Sequence, residues 1–500
     1  MQIILDYKSE IQNGLIIKDI LINNNKNMDK RTKIVATISD INSSREFLTQ
    51  LFAEGVNVVR INSAHQKIET TKQIIDSIRE IDSSIAIMID TKGPEIRTSS
   101  YGSFLDVETG DEIFIKGNSN GESGNNVLYV NYNNFVHDVS INNYVLIDDG
   151  DIALRVVDKD AEKLKCIVEN SGKIKNKKGV NVPNVKMNLP VLSEKDVLFI
   201  NLAIDNEIDF IAHSFVQHAD DVKTVRKILN ARNSEIKVIA KIENQEGVDN
   251  IDNIINEADG IMVARGDLGI EIPVEKIPII QRKLVSACIK NHKMVIVATQ
   301  MLHSMINNPR PTRAEVNDVA TAVYEKADAL MLSGETANGQ YPLQSVAMMR
   351  KIIKEVENTL EKFPIKTPPL DNDILSVLTN SAVVACNTLD IKAIVVDTIS
   401  GRTARHIASY RGRIPVYAFC YNEYTARHLA LSYGVKAYNT DISKSRDHFL
   451  KDTIEFLVKK GAISLTDKVV VLGGSFGPTN GVSFMEISTA EKLMEFSKFE

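Results

Sequence analysis

The chain has 500 residues, too many for one hydrophobic core of ordinary size, so its 43% hydrophobic content must be shared among two to four domains. A net charge of −6 offers no broad basic face for nucleic acid or an anionic membrane, although small phosphate pockets need only a few local cations. Four scattered cysteines, Cys166, Cys288, Cys386 and Cys420, form no CxxC pair or regular framework, which points to reduced thiols in the cytoplasm.

The first residues, MQIILDYKSEIQNGLIIKDILI, lack a basic start and are interrupted by charges, so they make a poor signal peptide. Residues 1–27 read as an extension ending in the polar NNNKN, and Met28 is an alternative start. No apolar run approaches the roughly 18–20 residues that span a bilayer.

From Arg31 a single unit recurs: a β-branched strand, a polar residue at its C-terminal end, then an amphipathic helical stretch. RTKIVATI, NVVRIN and IAIMID are the first three strands. DFIAHSFV, EIKVIAKIE, GIMVARGD, KMVIVATQ and ALMLSGE complete eight. Near-continuous Val, Ile and Ala runs suit parallel strands buried on both faces. Eight strand–helix units argue for a (β/α)8 barrel over residues 28–92 and 188–362, with a doubly wound open sheet as the alternative. In a barrel the strand ends at one rim carry the chemistry, and here they carry Arg60, Asn62, Asp90, Lys241, Glu243, Asp267, Thr299 and Glu335.

Between residues 93 and 187 the helical period gives way to short alternating runs such as DEIFIKG, NVLYVN and NYVLIDDGDIALRVV. Such a stretch reads as an inserted β domain on the catalytic rim, placed to act as a lid. After the linker PIKTPPLD, residues 363–500 alternate again. The helix ILSVLTNSAVVACNTL, strands AIVVDT, PVYAFC and KVVVLGG, and helices from Arg402, over Ala426–Tyr433 and over Phe449–Lys460 read as a separate α/β domain with a mainly parallel sheet.

Lys241 and Glu243 stand two apart on one strand and project from the same face. Alone they would be a plain ion pair. Asp267 ends the next strand between Gly266 and Gly269, which let backbone approach a ligand closely, and two carboxylates on adjacent strands are hard oxygen donors for Mg2+. Lys241 beside them can neutralise charge on a transferring phosphoryl group. Arg60 suits phosphate oxygens or, failing that, an ion pair with Asp90; Asp90 and Asn62 offer oxygens to a second, monovalent cation.

The segments MIDTKGPEIRT, KIENQEG, MVARGDLGIEIP, ATQML, NPRPTRAEVNDVA and MLSGETANGQYP, in this order and spacing, resemble the pyruvate kinase family from about Lys30 onward. That resemblance implies a (β/α)8 TIM barrel with an inserted β-barrel lid and a C-terminal α/β regulatory domain. It implies transfer of the phosphoryl group of phosphoenolpyruvate to ADP, giving pyruvate and ATP in the last step of glycolysis. Glu243 and Asp267 match the ligands of Mg2+ (or Mn2+), and Lys241 the lysine that stabilises the phosphoryl group. Arg60 matches the phosphate contact, while Gly266, Asp267 and Thr299 match those to the substrate carboxylate. Arg97 and Lys178 match the nucleotide-phosphate contacts, and Asn62, Asp90 and the Thr91 carbonyl match the K+ ligands. Thr299 is a candidate proton relay to the enolate. A homotetramer and an allosteric site for a phosphorylated effector are implied as well.

Some positions depart from the family pattern. RINSAHQ replaces the usual RLNFSHG, so Ala64 stands where a serine hydroxyl normally completes the K+ shell, and Ser63 would point to the opposite face of a regular strand. Glu95 is the residue type of K+-dependent members, so K+ activation is expected. Glu325-Lys326 replaces a frequent Asp-Gly, and Asn338 a frequent lysine.

In the C-terminal domain, Thr398, Ser400, Gly401, Arg402 and Thr403 present hydroxyls and amides at a helix start, which is a phosphate cradle or a simple helix cap. The loop GGSFGPTNG resembles the one that faces it in the family. Two rival readings remain at this stage: a metal-dependent or Schiff-base aldolase or lyase on a similar barrel, and a catalytically dead binder of nucleotide or sugar phosphate.

Overall fold

A computed structural model describes residues 30–99, 105–118, 121–124, 126–183, 185–360, 368–440, 446–474 and 481–495. The N-terminal extension, the start of the linker and the centre of the GGSFGPTNG loop lie outside the described residues.

Eight parallel strands close into a barrel. They are β1 (Lys33–Ile38), β2 (Val58–Asn62), β3 (Ala86–Asp90), β4 (Phe210–His213), β5 (Lys237–Ile242), β6 (Gly260–Ala264), β7 (Met294–Ala298) and β8 (Ala329–Leu332). Each pairs with its neighbours in sequence, and β8 closes on β1 through Lys33–Ala329 and Ala36–Leu332. Closure rules out the open doubly wound sheet. The buried strands are apolar on both faces because each face meets a different core. Val59, Ile61, Val238, Ala240, Val295 and Val297 join the helices in one cluster. Val58, Met88, Phe210, Ile239, Met262 and Ile296 fill the barrel interior in another.

The insertion after β3 folds as a seven-stranded, largely antiparallel sheet with a two-stranded companion, around its own core of Ile113, Ile115, Leu128, Val145, Leu154 and Leu164. Its two edge strands, Thr98–Ser99 and Val180–Asn181, meet through an antiparallel bridge between Arg97 and Gly179, flanked by Thr98 N to Lys178 O at 2.8 Å and Val180 N to Ile96 O at 2.8 Å. The sheet therefore rolls on itself where the chain enters and leaves it.

The C-terminal sheet runs β11-β10-β9-β12-β13, with β9 (Ile391–Thr398), β10 (Val416–Cys420), β11 (Val435–Asn439) and β12 (Lys468–Gly474) parallel and β13 (Val482–Thr489) antiparallel at one edge. The sequence reading lacked β11 and β13. It also ran one helix over Ala426–Tyr433, where the structure has an α-helix at Glu423–His428, a 3-10 turn at Leu429–Leu431 and then β11. Edge strands with half-exposed polar residues, such as VKAYN, lack the apolar run that marks an interior strand.

This domain docks on the end of the barrel opposite the strand C-termini. Arg411 takes both oxygens of Asp328 at 2.7 and 2.6 Å, Arg427 takes Asp209 at 2.6 Å, and Gly434 N donates to Arg31 O at 2.9 Å. Asp328 immediately precedes β8 and Asp209 immediately precedes β4, so both anchors lie at strand N-termini. Lys326, one of the departures noted above, holds φ 63°, a left-handed backbone that glycine adopts freely.

Candidate active site

Strand alternation decides what reaches the barrel mouth. On β5, Val238, Ala240 and Ile242 pack against the helices, so Ile239, Lys241 and the next residue on that face, Glu243, turn inward. On β2 the same alternation exposes Arg60 and Asn62 to the interior, and on β3 it exposes Asp90, which is in register with Asn62.

Asp90 is the hub of the resulting network. Its Oδ2 accepts from Arg60 Nε at 2.7 Å, and its Oδ1 accepts from Lys241 Nζ at 3.1 Å and Ser214 Oγ at 3.3 Å. Arg60 also donates to Thr37 Oγ1 at 3.0 Å. Lys241 Nζ donates to Ser214 Oγ at 2.7 Å and lies 2.9 Å from Glu243 Oε1, while Glu243 Oε2 accepts the Phe215 amide at 2.6 Å. The alternative partner foreseen for Arg60, Asp90, is thus present, within a network rather than as an isolated pair.

Burial disfavours every charge here, and the neighbours decide the outcome. For Asp90, burial raises the pKa, but Arg60 and Lys241 outweigh it and hold the carboxyl below its usual range. For Lys241, burial lowers the pKa, but Asp90, Glu243 and Asp267 outweigh it and hold the ammonium well above its usual range. Glu243 is pushed up to about 7, first by burial, with Lys241 opposing and Asp267 adding to the rise. Lys241 is therefore a fixed cation. Glu243 and Asp267 are two carboxylates that repel each other across the mouth.

That repulsion is the test of fit for a divalent ion. Two mutually repelling carboxylates, one of them fully buried, are relieved by a hard cation that supplies opposite charge, and Mg2+ typically takes one or two protein carboxylates plus substrate and water oxygens. Among the described residues no three His, Cys, Asp or Glu side chains cluster as a self-sufficient metal cage. The donor set fits an ion that substrate helps to hold.

Asp267 lies in the first turn of the helix Arg265–Glu271, where the amides favour negative charge. Gly266 N donates to Thr299 Oγ1 at 2.7 Å, and Thr299 Oγ1 donates to Ala298 O at 2.7 Å, so the hydroxyl beyond β7 is brought to the start of the same helix. A Cβ at Gly266 would meet Thr299 Oγ1 at 3.4 Å, whereas one at Gly269 would enter open space, so nothing in the fold demands glycine at 269.

The expected K+ oxygens lie at the ends of two adjacent strands and are engaged. Asn62 Oδ1 accepts the Ala64 amide at 3.1 Å, and Thr91 O accepts from Ser214 Oγ at 2.7 Å. β2 ends at Asn62, so Ser63 belongs to a turn; its amide donates to Asp90 O at 3.0 Å and its buried hydroxyl has no hydrogen-bond partner. Carbonyl and carboxylate oxygens keep a second lone pair, and the buried Ser63 hydroxyl just beyond β2 has no partner, so the oxygens at these strand ends are of the type a monovalent cation takes.

Arg97 and Lys178 come together on the two tether strands of the lid. Arg97 is held by Glu95 at 2.6 Å and by Lys177 O at 2.6 Å, and Lys178 Nζ contacts Asp148 at 2.8 Å. The lid faces the mouth: Asn181 reaches Glu271 at 3.4 Å, and burial and then the charge of Asp267 push up the pKa of Asp149. In the C-terminal domain, Thr398, Ser400, Gly401, Arg402 and Thr403 gather at the start of the helix Arg402–Ser409, far in the chain from the mouth. Thr398 Oγ1 already accepts the Gly401 amide at 2.9 Å, and Gly401 holds φ 75°.

Ser214, which joins Lys241, Asp90 and Thr91, was absent from the sequence reading because DFIAHSFV ends in no charge. The available signal was that its serine follows the strand directly, at the rim. Glu335, by contrast, is engaged by the amides of Leu302 at 3.0 Å and Ser333 at 2.8 Å and serves the loops.

Known proteins match this arrangement along almost its whole length. The model of the pyruvate kinase barrel domain matches residues 29–346, and that of the pyruvate kinase alpha/beta domain matches residues 377–488. The chain belongs to the pyruvate kinase family. A pyruvate kinase of Borreliella burgdorferi is 46% identical over 474 residues, covering 94% of this chain and 99% of that protein. One from Staphylococcus epidermidis is 42% identical over 455 residues, covering 89% and 78%. The crystal structure of a pyruvate kinase from Cryptosporidium parvum superposes with a TM-score of 0.87 at 33% identity, covering 94% of this chain and 98% of that one. No helix among the described residues is long and apolar enough to cross a membrane.

Proposed function

We propose that this pyruvate kinase family member transfers the phosphoryl group of phosphoenolpyruvate to ADP, with Lys241, Glu243 and Asp267 at the barrel mouth as its chemical centre. The observation that carries this reading is the convergence of a permanently charged lysine, 2.9 Å from one buried carboxylate, with a second carboxylate acting on both. Phosphoenolpyruvate and ADP are both polyanions, so their alignment needs cations between them. Lys241 and Arg60 would flank the phosphoryl group as its bond to the enol oxygen breaks and a bond to an ADP oxygen forms. Glu243 and Asp267 would hold Mg2+ or Mn2+, which when bound screens the anions and polarises the phosphoryl oxygens.

The amides of Gly266 and Asp267 and the Thr299 hydroxyl would bind the carboxylate, at the positive end of a helix. Arg97 and Lys178 would grip the nucleotide phosphates from the lid. Thr299 would relay a proton to C3 of the enolate, which turns enolpyruvate into the more stable ketone and draws the reaction toward ATP. Asn62, Asp90 and the Thr91 carbonyl would hold K+, with Ser63 in place of the hydroxyl that Ala64 lacks.

The reading divides the chain into an extension (1–27), barrel (28–92 and 188–362), lid (93–187) and regulatory domain (363–500), assembled as a cytoplasmic homotetramer. Thr398, Ser400, Gly401, Arg402 and Thr403 would receive a phosphorylated effector. The test is pyruvate formation from phosphoenolpyruvate and ADP with Mg2+, in K+ or in a large organic cation. Turnover that needs Mg2+ and rises with K+ is expected. Absence of ATP with both cations present refutes the reading, and trapping of pyruvate on Lys241 by borohydride would favour an aldolase instead.

A further inference from the structure

Thr299 and Gln300 both hold left-handed backbone, with φ 67° and 53°. Neither is glycine, so surrounding groups must impose this turn. Arg265 does so. A guanidinium has five N–H donors, and here five acceptors receive them. Nε donates to Ala298 O at 3.3 Å; Nη1 donates to Gln281 Oε1 at 3.3 Å and Asp318 Oδ1 at 2.6 Å; Nη2 donates to Thr299 O at 2.7 Å and Met301 Sδ at 2.8 Å. Three of those acceptors bracket the strained turn: Ala298 O before it, Thr299 O within it and Met301 Sδ after it. Asp318, on the helix Arg313–Tyr324, fixes the fork from the far side. Arg265 is also the first residue of the helix that supplies Gly266 N to Thr299 Oγ1 and carries Asp267.

We propose that Arg265 is a positioning residue for the proton-transfer half of the reaction: it ties the turn bearing the Thr299 hydroxyl to the helix bearing the cation carboxylate. This rests on the reading of Thr299 as the proton relay. A lysine at this position brings three donors from a single point and cannot span Ala298 O, Thr299 O and Asp318 together. The hydroxyl then moves relative to C3 of the bound substrate while the phosphate contacts from Arg60 and Lys241 stay in place.

The test uses the full-length chain and the exchange of pyruvate C3 protons with D2O, read by proton NMR, alongside steady-state turnover. In the exchange a C3–H bond breaks, its electron pair forms the enolate, and a deuteron returns to C3 by the same relay. For Arg265→Lys, exchange and kcat are expected to fall about 10²-fold, as a displacement near 1 Å produces. The KM for phosphoenolpyruvate should rise by much less than kcat falls, because Arg60 and Lys241 still hold the phosphate while only the carboxylate contact of Thr299 is displaced. Asp318→Asn, which frees the fork without removing it, should give a smaller loss of the same kind. The double variant Arg265→Lys/Thr299→Ala should be no slower than Thr299→Ala alone, because both changes act through one hydroxyl.

Parental exchange in folded Arg265→Lys, or a double variant whose loss is the product of the two single losses, overturns the proposal. If Arg265→Lys does not fold, parental exchange in Asp318→Asn overturns it. Parental exchange in Thr299→Ala instead refutes the reading of Thr299, a separate failure.

Discussion

The two ends of the barrel are both rich in buried charge, yet they use it differently. At the foot two buried carboxylates are each gripped by arginine: Arg411 takes both oxygens of Asp328, and Asp209 is shared by Arg427 at 2.6 Å and Arg79 at 2.9 Å. At the mouth the partners compete. Asp90 is contested by Arg60, Lys241 and Ser214, while Glu243 and Asp267 repel each other. Arginine-bound carboxylates hold two domains in register; the unbalanced set at the mouth suits the cation and anion of the proposed reaction. The same residue types thus make a joint at one end and a reaction vessel at the other.

The contrast can be broken most sharply at the mouth. Lys241→Met should lower kcat about 10³-fold, the order of a lost charge-stabilising donor, while the folded state persists. Steady-state assays with circular dichroism check both halves of that statement. At the foot the expectation inverts. Arg411→Leu leaves Asp328 buried without its cation and should cost about 3–5 kcal/mol of stability, measured by denaturant melts. Its kcat at low temperature should change little.

A smaller effect separates ion binding from catalysis. Glu243→Gln keeps the shape of the side chain but removes one donor charge, and should weaken Mn2+ binding about 10–100-fold, measured by electron paramagnetic resonance. The smallest expected effect concerns pH at the junction of barrel and C-terminal domain. His292 and His406 stack there with centroids 3.8 Å apart, and His292 Nδ1 meets Ser409 Oγ at 2.6 Å. Burial lowers both pKa values, His406 to about 4 with His292 contributing next, against the opposing charges of Asp371 and Asp373.

The His406 ring is thus neutral in the fold down to about pH 5 and protonates near pH 6.5 when unfolded, so the unfolded state binds more protons below that pH; the lowered pKa of His292 acts in the same direction. Stability should fall from pH 7 toward pH 5, by up to about 1.4 kcal/mol per pH unit for His406, with His292 adding in the same direction. Thermal melts of the parent and of His406→Gln across that range check the sign: the variant's curve should be flatter.

Much of this was legible in the chain. The eight barrel strands announce themselves as Val- and Ile-rich runs because both of their faces are buried, and the period of two puts Lys241 and Glu243 on one side without any structure. What escaped had physical reasons. Ser214 and Arg265 act through contacts with residues distant in sequence, and neither lies in a pattern that periodicity can flag. β11 and β13 lie at sheet edges, where one side need not be apolar. Ser63 was placed by extending a strand that in fact ends at Asn62.

The lid's attachment has a mechanical consequence. Because its entering and leaving strands are hydrogen-bonded to one another at Arg97 and Gly179, the two cannot bend independently. Any swing of the lid must carry Arg97 and Lys178 as a single pair of tongs with a fixed gap. Under the proposed function, the contacts to one reactant would travel with the lid and those to the other would stay with the barrel.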